Sequence, residues 1–272
     1  MLVRIARART LLGAAFAALL LAGGAAAASA ADEPAAVDPA PIASPAAGQP
    51  AAVKVAEDPD PGTTFQLSNE ATLSRWANPA APSQIYSEPR RTSRVVGRIR
   101  FFTEDGFPEV YLLLRQYTDA HGTTWVELRI PKRPNGRVGW VPRESVGPYH
   151  VTRDQLIINR KALTITLLRK GRRIFRTRVG IGKAATPTPA GRFVIREHFS
   201  FKPLPLYGRF ALVTSNYSTL SEWPRGGVVG IHGTDNENNV PGRPSHGCVR
   251  LRKASLEKLF RLTTVGIPLW VR

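Results

Sequence analysis

Leu156-Ile157-Ile158-Asn159, then Leu163-Thr164-Ile165-Thr166-Leu167-Leu168, then Ile174 to Ile181 across a Lys170-Gly171-Arg172 turn: on these three runs the fold turns. Their β-branched content and short apolar lengths favour strands over helices, and the glycine-bearing turn joins neighbours in antiparallel order. They predict a meander. Downstream, Thr186-Pro187-Thr188-Pro189-Ala190-Gly191 forces a rigid, irregular turn before a strand over Arg192 to Glu197. Only Ala254 to Leu262 has helical spacing, with Leu256, Leu259 and Phe260 on one face and Ser255 as a candidate cap. A closing strand is expected over Ile267 to Val271. The expected fold for residues 151–272 is a mostly-β sandwich with few short helices.

Upstream, residues 65–150 read as short strands and turns without helical periodicity. Ser83 to Tyr86, Val95-Val96, Val110 to Leu114 and Trp125 to Leu128 are candidate strands. Asn135-Gly136 is a strong turn signal joining Trp125–Pro131 to Val138-Gly139-Trp140-Val141 as a hairpin. A small all-β barrel is predicted. With Gly139-Trp140-Val141-Pro142 closing it, this layout resembles bacterial SH3-like modules, which implies wall binding, shaping of a neighbouring site, or a spacer.

The chain has 272 residues and 43% hydrophobic content, which excludes wholesale disorder. Its single cysteine excludes an internal disulfide framework and a Cys-rich zinc module. The formal charge is +18, and residues 151–272 alone carry 22 Lys and Arg against 6 Asp and Glu. Such a surface suits an anionic polymer such as a cell wall. Residues 1–30 have the layout of a signal peptide: Arg4, Arg7 and Arg9, an apolar run from Leu11 to Ala22, and an Ala28-Ser29-Ala30 cleavage pattern. An uncleaved anchor is the alternative, and both place the protein in the wall or periplasm. Residues 31–64 are Ala/Pro-rich and read as a tether. With export and no binding motif, nucleic acid is set aside as a partner.

The chemistry lies in Ile231-His232-Gly233-Thr234 and Ser245-His246-Gly247-Cys248-Val249-Arg250-Leu251. A lone cysteine in an exported chain is buried and inert, bridged to another molecule, or reactive. Here two histidines lie near it, and an imidazole that takes the thiol proton turns sulfur into a nucleophile through a thiolate–imidazolium pair. His232 and His246 are the candidates. Their spacing with Cys248 fits no common zinc site, so no metal is expected.

His232-Gly233-Thr234, 12 intervening residues and Ser245-His246-Gly247-Cys248 resemble the signature of the YkuD-type L,D-transpeptidases, over roughly residues 153–272. The resemblance implies a cofactor-free acyltransferase of peptidoglycan. Cys248 is then the nucleophile and His232 the base and acid. The Gly233 carbonyl orients the imidazole, His246 and Ser245 support the site, and Gly247 and Cys248 N–H groups serve the oxyanion. Arg250 and Thr234 are candidate substrate contacts. The implied partners are a donor tetrapeptide stem, an amine acceptor for a 3→3 cross-link, and carbapenem inhibitors. An L,D-carboxypeptidase, an enzyme attaching protein to peptidoglycan and a non-catalytic wall-binding protein remain as alternatives.

Overall fold

Alternating apolar residues on short runs, punctuated by glycine turns, leave this chain little choice but strands. The computed structural model describes residues 62–204, 207–222 and 224–272. The expected signal segment and nearly all of the tether lie outside them. The first strand already starts at Thr63, two residues inside the expected tether. Both sheets described below belong to one unit, Ala56–Arg272.

The first sheet contains β1 (Thr63–Gln66), β2 (Ser74–Ala77), β3 (Gln84–Tyr86), β4 (Val95–Arg98), β5 (Tyr111–Thr118), β6 (Thr124–Arg129), β7 (Val138–Pro142) and β8 (His150–Thr152). Its order is β4-β3-β7-β6-β5-β2-β8, with β1 also on β5. Inward-facing Ile85, Tyr111, Leu113, Val126, Leu128 and Val141 from four strands meet in one core. The expected hairpin is present: β6 and β7 pair antiparallel from Trp125↔Pro142 to Arg129↔Val138. Gly136 sits in the connecting loop at φ +86°, backbone that glycine reaches without strain.

The second sheet is built from β9 (Asp154–Asn159), β10 (Thr164–Arg169), β11 (Arg172–Arg178), β12 (Gly180–Gly182), β13 (Gly191–Leu204), β14 (Gly208–Tyr217), β15 (Val228–His232), β16 (Gly242–Ser245), β17 (Val249–Arg250) and, after α1 (Lys253–Leu262), β18 (Pro268–Val271). The order is β11-β10-β9-β18-β13-β14-β15-β17-β12-β16. The predicted meander is there, with β9, β10 and β11 as successive antiparallel neighbours. Strand β13 runs well past the expected Glu197. Its first residues pair with β18 and its later ones with β14. One long strand therefore serves both layers. Leu156, Ile158, Ile165 and Leu167 from one layer share a core with Leu212, Ile231 and Val249 from the other, which is the sandwich.

Helix α1 buries Leu256 and Leu259 as its spacing requires. Ser255 is not its cap, because the helix begins at Lys253 and Arg252 occupies the cap position without a side-chain bond. Ser255 Oγ instead meets Thr177 Oγ1 at 3.0 Å. The orphan Lys253 N–H at the helix start is taken by the Glu237 carboxylate at 2.7 Å, a partner 16 residues upstream. Sheet-to-sheet contact comes from an apolar cluster of Val110, Leu112, Leu114 and Val194 and from a buried ion cluster around Arg196.

Candidate active site

Strand β15 ends at His232, and its neighbour β17 runs parallel to it with Ile231 opposite Val249 and His232 opposite Arg250. Paired residues on adjacent strands share a face, and side chains two apart on one strand return to it. His232 and Arg250 are thereby brought to one face, and Cys248 immediately precedes β17. The Gly230 N–H points to Cys248 Sγ at 3.4 Å. A Cβ added to Gly230 would stand 3.7 Å from His232 Cδ2. The imidazole edge therefore leans over the same glycine that touches the sulfur.

The ring is fixed from behind. His232 Nδ1 lies 2.7 Å from the Gly233 carbonyl, which makes Nδ1 the protonated nitrogen and leaves Nε2 as the acceptor. Gly233 N–H donates to the Tyr207 carbonyl at 2.8 Å. A Cβ on Gly233 would come within 2.9 Å of that oxygen, so the close approach requires glycine. The Tyr207 ring packs edge-on against the imidazole with centroids 4.8 Å apart. Tyr207 had no sequence signal. It sits in the turn between β13 and β14, 25 residues before His232.

Burial governs the protonation states. It pushes the Cys248 thiol up, against the opposing pull of the Gly230 N–H and of the Arg250 and Arg225 charges. Burial also pushes the His232 imidazole down to about 4, with Gly233 opposing and Arg250 adding to the shift. Both groups are neutral at pH 7. The thiolate–imidazolium pair expected from the sequence is thus not the resting state of this geometry, because neither charge is solvated.

The loop leading to Cys248 is tightly fastened. Ser245 Oγ donates to the Cys248 carbonyl at 2.6 Å and accepts from Gly247 N–H at 3.2 Å. Gly247 N–H is thus already engaged, in contrast to the expected role toward an oxyanion. What the position demands of Gly247 is backbone: its φ is +133°, and a Cβ would press to 2.9 Å from Ser218 Cβ. Thr188 supplies a support that sequence reading passed over. Buried in the Thr-Pro-Thr-Pro turn, its hydroxyl donates to the Gly247 carbonyl at 2.7 Å and accepts from Gly182 N–H at 3.0 Å. The rigid turn is a brace for the cysteine loop.

His246 is exposed, and its Nε2 faces Lys183 Nζ at 3.2 Å. Partial desolvation, with that ammonium and Arg250 adding to it, holds its imidazole below the ordinary histidine range. Thr234 spends its hydroxyl on its own turn, accepting from Asn236 N–H at 3.2 Å and reaching the Asn236 carbonyl at 3.3 Å. Arg250 is half-buried, and its Nε is buried without a hydrogen-bond partner. Among the described residues no group of three or more His, Cys, Asp or Glu is arranged to hold a metal ion.

Residues 153–271 match the family model of YkuD, the L,D-transpeptidase catalytic domain. No curated protein matches the chain. Among solved structures, the chain is similar to a mutant of the Enterococcus faecium L,D-transpeptidase at 22% identity, over 43% of this chain and 49% of that one, with a TM-score of 0.36. It is similar to an L,D-transpeptidase from Stackebrandtia nassauensis at 22% identity, over 44% and 55% of the two chains, with a TM-score of 0.33. An L,D-transpeptidase from Mycobacterium tuberculosis H37Rv matches at 14% identity, over 55% and 90%, with a TM-score of 0.37. The chain spans about half the length of the Enterococcus faecium protein.

Proposed function

We propose that this protein is an exported peptidoglycan L,D-transpeptidase that forms 3→3 cross-links through a Cys248 thioester. One observation carries the reading: Gly230 joins sulfur and imidazole, and the Gly233 carbonyl commits His232 Nε2 to accept a proton.

Cys248 Sγ attacks the carbonyl that links the third residue of a tetrapeptide stem to its terminal D-Ala. Because thiol and imidazole rest neutral, the proton passes to His232 Nε2 as the S–C bond forms, so that neither charge stands alone in the buried site. Cys248 N–H is the oxyanion donor left on the loop, Gly247 N–H being held by Ser245. The C–N bond breaks, His232 returns its proton to the leaving amine, and D-Ala departs. The side-chain amine of the third residue of a second stem then attacks the thioester, gives its proton to His232 and releases the thiol. Arg250, with an unpartnered buried Nε beside the sulfur, suits a substrate carboxylate.

Purified protein incubated with disaccharide-tetrapeptide should yield D-Ala and a dimer whose mass is two stems less one D-Ala. Tripeptide with D-Ala, and no dimer, would assign water as the acceptor and replace this reading with a carboxypeptidase. No D-Ala at all would remove the enzyme.

The resting protonation states have their own signature. With the thiol raised and His232 near 4, alkylation of Cys248 by iodoacetamide should climb with pH through 7 to 9, without a plateau near neutrality. His232→Ala should leave that climb in place while lowering acyl transfer by about 10²–10⁴-fold, the usual range for a lost general base. His246→Ala should spare most of the transfer. A flat alkylation rate from pH 5 upward, abolished by His232→Ala, would instead reveal a standing ion pair.

A further inference from the structure

The segment linking β14 to β15 lies directly against the cysteine loop, with Ser218 Cβ occupying the space a Gly247 side chain would need. Its two ends are clipped together by Ser218 N–H to the Gly227 carbonyl at 2.8 Å. Most of what holds this segment in place belongs to the other sheet. In the loop between β6 and β7, Asn135 reads the backbone of Tyr217 from both sides. Its Oδ1 accepts the Tyr217 N–H at 3.0 Å, and its Nδ2 donates to the Tyr217 carbonyl at 2.8 Å. The same Nδ2 reaches Asn216 Oδ1 at 3.0 Å. Two residues earlier, Arg133 bridges both ends of the clip, donating to the Ser218 carbonyl at 2.6 Å and the Gly226 carbonyl at 2.5 Å. Its guanidinium also stacks 5.0 Å above the Tyr217 ring.

A second path leads to the same place. Asn216 Nδ2 donates to the Pro189 carbonyl at 3.1 Å, in the turn whose Thr188 holds the Gly247 carbonyl. Arg225, between the clipped ends, pairs with Asp105 in the connection between β4 and β5 and with Glu197. These bonds would be surplus if the first sheet were only a spacer. The Arg133 bonds and two of the three Asn135 bonds are directed at backbone, and charge-assisted donation from Arg133 to carbonyls strengthens its share of them.

We propose that Arg133 and Asn135 are positioning residues of the catalytic site: the β6–β7 loop sets Asn216–Ser218 and Gly226–Gly227, and Ser218 in turn sets Gly247 and therefore the direction of Cys248. This rests on the acyl-transfer reading for its consequence, but not for its test. A group that aligns sulfur with an oxyanion donor matters for acylation, which needs both in register. It matters little for alkylation, which needs only an accessible thiol. A misplacement of about 1 Å suffices to cost on the order of 10²-fold in a reaction that depends on alignment.

The experiment compares two rates on the full chain, acylation by a carbapenem and alkylation by iodoacetamide, both followed by intact mass at Cys248. Arg133→Ala and Asn135→Ala should lower the ratio of acylation to alkylation by about 10- to 100-fold, with titratable thiol still close to one per chain. Arg133→Lys keeps the charge but cannot span two carbonyls, so its ratio should fall between. It also serves as the deciding variant should Arg133→Ala fail to fold. Unfolding would itself expose the thiol and speed alkylation, so the two rates are compared at conditions where circular dichroism shows each variant fully folded; a ratio equal to wild type in a folded variant would overturn the proposal. Wild type that is alkylated yet neither acylated nor able to release D-Ala from a stem would overturn the transpeptidase reading instead.

Discussion

Cys248→Ala should abolish D-Ala release and carbapenem labelling together, while the far-ultraviolet spectrum of the protein stays unchanged. The chain has no other cysteine, so no second thiol can take over. Whatever rate enhancement survives must come from binding and from backbone donors, and in cysteine- and serine-type sites that residue of catalysis is at least about 10³-fold below the intact machinery. The structural cost is small by contrast. The change removes one sulfur atom, and the Gly230 N–H contact to it is a long one at 3.4 Å. A strained lactam carbonyl offers Cys248 the same electrophile as the stem peptide, and an amine-shaped acceptor site holds water poorly, so the acyl adduct should persist. Intact mass is then decisive. Wild type should gain one adduct per chain and Cys248→Ala none. Turnover or labelling retained in the variant would end the cysteine mechanism, whereas an unlabelled wild type with a reactive thiol would count against a transpeptidase cleft.

What could be read from the sequence is what local pattern encodes. The β-branched runs of Leu156–Ile181 are a property of neighbouring residues, and the first two strands appear where they placed them; the third, expected over Ile174–Ile181, is split into β11 and β12, which take different neighbours in the sheet. Helix α1 starts one residue earlier than its spacing suggested, at Lys253. The cysteine and both histidines announced themselves by residue type and spacing, and the parallel pairing of β15 with β17 explains why two distant motifs meet. Partners at long range left no such trace. Nothing local marks Glu237 as the cap of α1, Thr188 as the anchor of Gly247, or Tyr207 as the wall of His232. Asn135 was visible as a turn residue, but its bonds to a loop 82 residues away were not. The neutral resting pair was equally hidden, because it follows from burial and a sequence does not state how deeply a thiol is buried.

The same limit applies to the largest effect expected on stability, which lies at the sheet-to-sheet contact. Arg196 and Glu109 both have fully buried side chains. Arg196 Nε and Nη2 each meet a Glu109 oxygen at 2.6 Å, and Nη2 also reaches Glu104 Oε2 at 3.0 Å. Bidentate pairing is what allows a guanidinium to remain charged without water. Glu109→Ala takes away both short bonds and leaves the cation with Glu104 and the Tyr217 hydroxyl, so it should destabilise the fold by about 3–5 kcal/mol. At roughly 2–4 °C per kcal/mol for a unit of this size, the melting temperature should drop by on the order of 10 °C. The cost belongs to the unpaired charge and not to the lost contact. Glu109→Leu combined with Arg196→Met should therefore recover most of the loss, since apolar residues of similar volume need no partner there. Acid provides an independent check. Glu104 is pushed up by burial, but Arg196, Tyr217 and Arg100 outweigh that and hold its carboxyl down at about 2. A carboxyl held low in the folded state contributes stability that is fully present above its ordinary range and disappears as pH falls toward 2. In Glu109→Ala, Glu104 is the remaining carboxylate bonded to Arg196, and unfolding should begin at a higher pH than in the wild type. Equal acid sensitivity in the two proteins, or a double variant no more stable than Glu109→Ala, would mean that the buried cation is being satisfied by water and that the contact between the sheets is wetter than its packing implies.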